Sequence, residues 1–229
     1  PMTETVTSIK IGGFILLEPN LLLTNLVVTA VSWYLYYKLY PLSFRQPVIQ
    51  RWNQYLFFLG LSTLTGGIFG HALLYYLPFE FKSIGWVCSA VGAYFFELGI
   101  FEEAHHVLGW KKGWRWIPKI KLMVFLIALV IPGWFHFNLV VINTALGVIG
   151  IILPVCIALF MRTKNKAYSQ MILAFLFAFT PGLVFLLKIS PSPWFNHKDI
   201  GHLLMAIFAW ILYLGIHERA LAKDLIHEQ

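Results

Sequence analysis

Histidine, asparagine and aspartate collect in this chain at places where they border long apolar runs. His71 lies in GIFGHALL, His136 and Asn138 stand in FHFN, and Asn196, His197, Asp199 and His202 fall in FNHKDIGHLLM, residues 195–205. Two to four imidazoles converging with a carboxylate are what a Zn²⁺ ion takes, with an open position left for water. Asp199 and His202 are three apart and share a face once they lie on a helix. Each residue also has a plainer use. Asp199 is suited to cap the N-terminus of the apolar helix that follows it, and an intramembrane histidine commonly hydrogen-bonds a neighbouring helix.

A second set of acids stands in AYFFELGIFEEAHH. Glu97 is the carboxylate expected near the middle of the membrane, where burial favours the neutral acid unless a cation sits beside it. Further on, Glu102 and Glu103 lie four and three residues before His106, with His105 beside it, the separation of a two-residue metal clamp on a helix. Their nearness to the basic segment KKGWRW favours interfacial salt bridges instead.

The elements that must hold these groups follow from composition. Of 229 residues 59% are hydrophobic, 17% aromatic and only 12% charged, with a mean hydropathy of +0.74, which excludes a water-soluble domain. Apolar runs near 21–40, 54–77, 84–107, 117–135, 138–161, 168–188 and 200–220 are each about long enough to cross a bilayer as a helix. These runs are apolar all round, as in LMVFLIALVIPGWF, so a barrel with alternating strands is excluded. The expectation is an all-α membrane protein: one domain over 1–229, a seven-transmembrane helix bundle with short connections and no internal repeat. IGGFILL, near the start, is too short for the core of a signal peptide. Cys88 and Cys156 have no CxxC spacing and read as small core residues.

Charge gives the orientation. Thirteen of the 17 Lys and Arg residues follow spans one, three, five and seven, including Lys38, Arg51, Lys111, Arg115, Lys121, Arg162 and Arg219. Lys10, Lys82, Lys188 and Lys198 remain for the opposite side. The positive-inside rule then puts the C-terminus in the cytoplasm and the N-terminus outside. His71, His136, His197 and His202, with Thr24, Asn25 and Thr180 at similar depth, gather on the outer side. The net charge of +7 is explained by this skew and by anionic lipid headgroups, with no need of a nucleic acid. Trp33, Trp52, Trp86, Trp114, Trp116 and Trp194 lie near the expected span ends, as an interfacial belt requires.

This layout resembles the CREST group of seven-span membrane hydrolases, which includes alkaline ceramidases and adiponectin-type receptors. His71 matches the group's histidine late in helix two, and HKDIGHLL resembles the histidine pair that opens helix seven. Where the group carries a serine four residues before the first histidine this chain has Gly67, and Lys198 stands where its HxxxH would put the earlier histidine of the pair. The resemblance implies a zinc ion whose bound water attacks an amide bond of a lipid.

The expectation is therefore a zinc-dependent intramembrane hydrolase of a lipid amide or ester in the plasma (inner) membrane. His71, His202 and one of His197 or His136 would be metal ligands, Asp199 a general base or ligand-orienting group, and Glu97 a proton acceptor. The alternative is a non-enzymatic receptor or binding protein for a small apolar ligand. A b-type haem protein would use His71 with His136 or His202. Retinal is excluded because 200–220 holds no lysine for a Schiff base.

Overall fold

Prolines and glycines divide the apolar sequence into helices. Pro19 and Pro47 each sit in the first turn of a helix, where a missing N–H costs nothing. Gly109 closes another in the left-handed region at φ 71. A computed structural model of the chain describes residues 6–44, 46–131 and 136–222. Among them run α1 (Pro19–Ser43), α2 (Pro47–Ala72), α3 (Lys82–Leu108), α4 (Trp116–Val130), α5 (Asn138–Thr163), α6 (Lys166–Leu186) and α7 (His197–Leu221). Five of these segments, Pro47–Ala72, Phe79–Leu108, Asn138–Thr163, Lys166–Leu186 and His197–Leu221, are long and apolar enough to cross a membrane. That is the make-up of a multi-pass membrane protein. The other two of the seven expected spans differ for identifiable reasons. α1 turns Asn25, Thr29 and Ser32 into the bundle, which lowers its hydropathy. α4 is described over 15 residues, and residues 132–135 of the run expected there lie outside the described residues.

A β-hairpin precedes the bundle, where no strand was expected. β1 (Ser8–Ile11) pairs antiparallel with β2 (Phe14–Leu17), Ile11 opposite Phe14. Gly12 and Gly13, at φ 55 and 90, make the two-residue turn that only glycine enters without strain. Phe14 stacks on Tyr76 at 5.0 Å, and the Ile15 N–H donates to the Tyr76 hydroxyl at 2.7 Å. The hairpin thus sits on the end of α2, at the hairpin end of the bundle. The opposite, basic end carries Arg51, Arg115 and Arg219.

Neighbouring helices close a ring in the order α1, α2, α3, α5, α6, α7 and back to α1, with α4 outside it against α3 and α5. Aromatic rings fill the centre: Phe96 lies 5.3 Å from Tyr55 and 5.0 Å from Phe175, which lies 5.5 Å from Phe208. Ile120, Met123, Val124, Ile127 and Val130 of α4 face outward, as a lipid-contacting surface would. Cys156 is buried in the core and Cys88 partly so. The expected tryptophan belt needs correction at Trp52, which is fully buried against Phe96. Trp33 is partly exposed and donates its indole N–H to the Phe57 carbonyl at 3.1 Å. Trp114, Trp116 and Trp194 are exposed near the bundle ends.

Candidate functional site

The hairpin end brings three helix termini together. The last turn of α2, Ile68–Ala72, widens into a π turn that carries His71, a local form often found at functional sites. α7 opens with a capping box: Asn196 Oδ1 accepts from the Lys198 N–H at 2.9 Å, and Asp199 Oδ2 accepts from the Asn196 N–H at 2.9 Å. The cap is therefore Asn196, with Asp199 as its reciprocal partner rather than the cap itself. α1 begins after Glu18, whose backbone sits in the left-handed region at φ 44, ψ 54.

That conformation costs a non-glycine residue about 1–3 kcal/mol and turns the Glu18 carboxylate toward the other two termini. His71 Nδ1 donates to its Oε2 at 2.6 Å, and Lys198 Nζ donates to its Oε1 at 3.2 Å. Burial by itself would push this carboxyl up, but the His71 hydrogen bond and charge and the Lys198 ammonium outweigh it and hold it down at about 2, from 4.5. Behind this pair, Thr24 Oγ1 lies 3.3 Å from Asp199 Oδ1 and 3.4 Å from His202 Nδ1. Asn25 Nδ2 lies 3.4 Å from the same ring nitrogen. Asn25 takes the space left by Gly67, since a Cβ added there would fall 2.9 Å from the Asn25 Cβ.

Four of the six expected site residues join this end, in different roles. His71 and His202 face α1. Asp199, 1% exposed, is occupied by the cap and Thr24. His197, 4% exposed, has Nδ1 at 3.0 Å from Ser190 Oγ and packs edge-on to Phe185. The remaining two stand apart. His136 is exposed at the α4–α5 connection, where Phe137 packs against Trp86 of α3. Glu97 lies deep in the bundle, its Oε1 at 2.5 Å from Lys121 Nζ. Lys121, counted from the sequence among the basic residues that follow span three, is a partly buried residue of α4.

These positions do not assemble the donor set that zinc takes. Asn25 Nδ2, which donates to the Leu21 carbonyl at 2.8 Å, and Thr24 Oγ1 both lie 3.4 Å from His202 Nδ1, so that nitrogen faces side chains of α1. Among the described residues no group of three or more His, Cys, Asp or Glu is arranged to hold a metal ion. The acids at the basic end likewise form salt bridges rather than a clamp. Glu102 lies 2.9 Å from Arg115, Glu103 accepts from Arg219 at 2.6 Å and from the Tyr168 hydroxyl, and His105 Nδ1 donates to the Trp110 carbonyl at 2.6 Å.

Sequence reasoning missed Glu18, Lys198 and Lys121 as site residues. The one available signal was placement: Glu18 directly precedes the helix-opening Pro19, and Lys198 lies one residue before Asp199. No curated protein and no solved structure matches the chain. Over residues 21–221 the chain matches, and belongs to, the DUF6962 family, a family of unknown function.

Proposed function

We propose that this chain crosses the plasma (inner) membrane seven times, hairpin outside and C-terminus in the cytoplasm, and that its hairpin end binds the anionic headgroup of an amphipathic molecule from the bilayer. It acts as a binding protein rather than an enzyme. The charge skew toward the basic end supports the orientation. One observation carries the binding reading: His71 and Lys198, from two helix ends, both hold the carboxylate of Glu18, which reaches them from a strained backbone. A pair of donors satisfied by a strained internal carboxylate is suited to a phosphate or carboxylate from outside.

Binding of phosphatidic acid against phosphatidylcholine, titrated into purified protein in micelles, tests this. Glu18→Gln, which removes the internal competitor, should tighten binding of the anionic lipid several-fold. Lys198→Met should weaken it by about tenfold, the loss of one charge-assisted hydrogen bond of about 1.5 kcal/mol. Equal affinity of all three proteins for phosphatidic acid would overturn the reading.

The zinc-dependent lipid amidase or esterase is the second reading. It is favoured by the carboxylate on His71 Nδ1, since that pairing orients an imidazole whose Nε2 is the ligand. It needs further ligands beyond those the described residues gather there. Elemental analysis of the purified protein separates the two, because the hydrolase requires close to one metal per chain.

A further inference from the structure

The middle of the bundle holds a site that headgroup binding does not use. Glu97 of α3 is 0% exposed. Its Oε1 faces Lys121 Nζ of α4 at 2.5 Å, and that ammonium also donates to the Asn143 carbonyl at 3.0 Å. Glu97 Oε2 is buried and has no hydrogen-bond partner in the protein. A buried carboxylate oxygen left in this state costs several kcal/mol, and each such group calls for an explanation.

Beside it lies a cavity of about 70 Å³ bounded by α2, α3, α5 and α6, with the hydroxyl-bearing residues Tyr55, Ser89 and Thr144 among those that line it. One water needs about 10–15 Å³ of such space and two or more polar partners, so this cavity has room for several. The surrounding backbone makes the space. Gly147 faces the carboxylate, and a Cβ there would fall 2.2 Å from Glu97 Oε1 and 3.0 Å from Lys121 Nζ. The π turn Val148–Ile152 follows at once, before Pro154, which has no N–H to donate back to the preceding turn. The ionisable groups facing Glu97 are Lys121 from α4 and Tyr55 from α2; the lining residues of α5 and α6 are not ionisable.

We propose that this cavity is a hydrated proton-exchange site, in which water held by the Tyr55, Ser89 and Thr144 hydroxyls delivers a proton to Glu97 Oε2 and takes it back. On uptake a hydronium ion in the cavity gives one proton to the carboxylate, leaving water, a neutral acid and Lys121 as the remaining charge. On release the same proton returns to water and the ion pair reforms. A dry pair of the same residues would be a static strut.

Infrared difference spectroscopy of the full chain in lipid nanodiscs, stepped between alkaline and acid pH in H₂O and D₂O, tests this. The expected result is a carboxylic-acid carbonyl band that grows on acidification, shifts in D₂O as fast as the buffer is exchanged, and is lost in Glu97→Gln while surviving in Glu103→Gln. Gly147→Ala should shift the frequency of the band, because its methyl group would fall 2.2 Å from Oε1 and must displace the carboxylate from Lys121. Should Glu97→Gln fail to fold, Glu97→Asp serves, since it should retain an exchanging carboxyl band at a changed frequency. Absence of a Glu97 band at every pH, a band that does not exchange, or a band that follows sodium concentration at fixed pH would each overturn the proposal.

Discussion

Glu97 and Glu103 lie on the same helix, less than two turns apart, and both are buried, yet their surroundings differ in kind. Glu103 takes two nitrogens of Arg219, at 2.6 and 3.4 Å, and the Tyr168 hydroxyl, so both its oxygens are bonded and α3, α6 and α7 are tied together. Glu97 has one ammonium on one oxygen and a cavity beside it. The guanidinium is a rigid fork with several donors, whereas the ammonium is a point charge on a flexible stem. Burial alone therefore does not mark a working carboxylate. The informative feature is an oxygen left unbonded next to space that water can enter.

Mutations can break this contrast, and the largest effect should come from the satisfied pair. Arg219→Met leaves Glu103 buried without its cation and should cost about 3–5 kcal/mol in an unfolding equilibrium in mixed micelles. A loss below about 1 kcal/mol would mean that Glu103 is hydrated as well, and the contrast would disappear. Lys121→Met should cost less, about 1–3 kcal/mol, because water in the cavity and a proton on Glu97 can compensate. Combining it with Glu97→Gln should recover most of that loss; strict additivity would show that the two side chains do not interact.

The smallest effect belongs to a carboxylate at the rim, Glu18. Its folded-state pKa is depressed to about 2 from 4.5, so its contribution to stability is complete above about pH 4.5 and is lost as pH falls from there through about 2. The difference in unfolding free energy between wild type and Glu18→Gln should shrink as pH is lowered from neutral through that window, and its full size should be about 1 kcal/mol or less. A difference independent of pH would mean that Glu18 acts through its backbone conformation instead of its charge.

The helices were legible because hydrocarbon runs of this length leave few alternatives, and the runs near 84–107 and 138–161 fall within a few residues of α3 and α5. Asn196 and Asp199 show why a cap is readable only to within about one turn: both side chains suit the task, and the backbone decides between them. The hairpin was passed over because Ile11-Gly12-Gly13-Phe14 was weighed as a targeting segment, although Gly-Gly between apolar residues is also a hairpin turn. The site was less legible than the fold. His71 and His202 were found by type, but their partners Glu18 and Asn25 are distant in sequence, and pairing between helices leaves no spacing to read. Lys121 was counted as an orientation signal, and its pairing with Glu97 of the neighbouring helix has no spacing that the sequence could show.

α4 lies outside the ring of helices, and Lys121 ties it inward. In the seven-span arrangement, Glu97 and Lys121 belong to consecutive segments that leave the translocon one after the other. A lone acid or lysine at mid-membrane costs roughly 2.5–3.5 kcal/mol during insertion. On the proposed arrangement, entering lipid as a pair would let the two segments cancel each other's charge before α5, α6 and α7 are made. The connection between them, residues 109–115, would then set the pace of biogenesis: lengthening it separates the partners in time and should leave more chains stalled with α4 outside the bilayer.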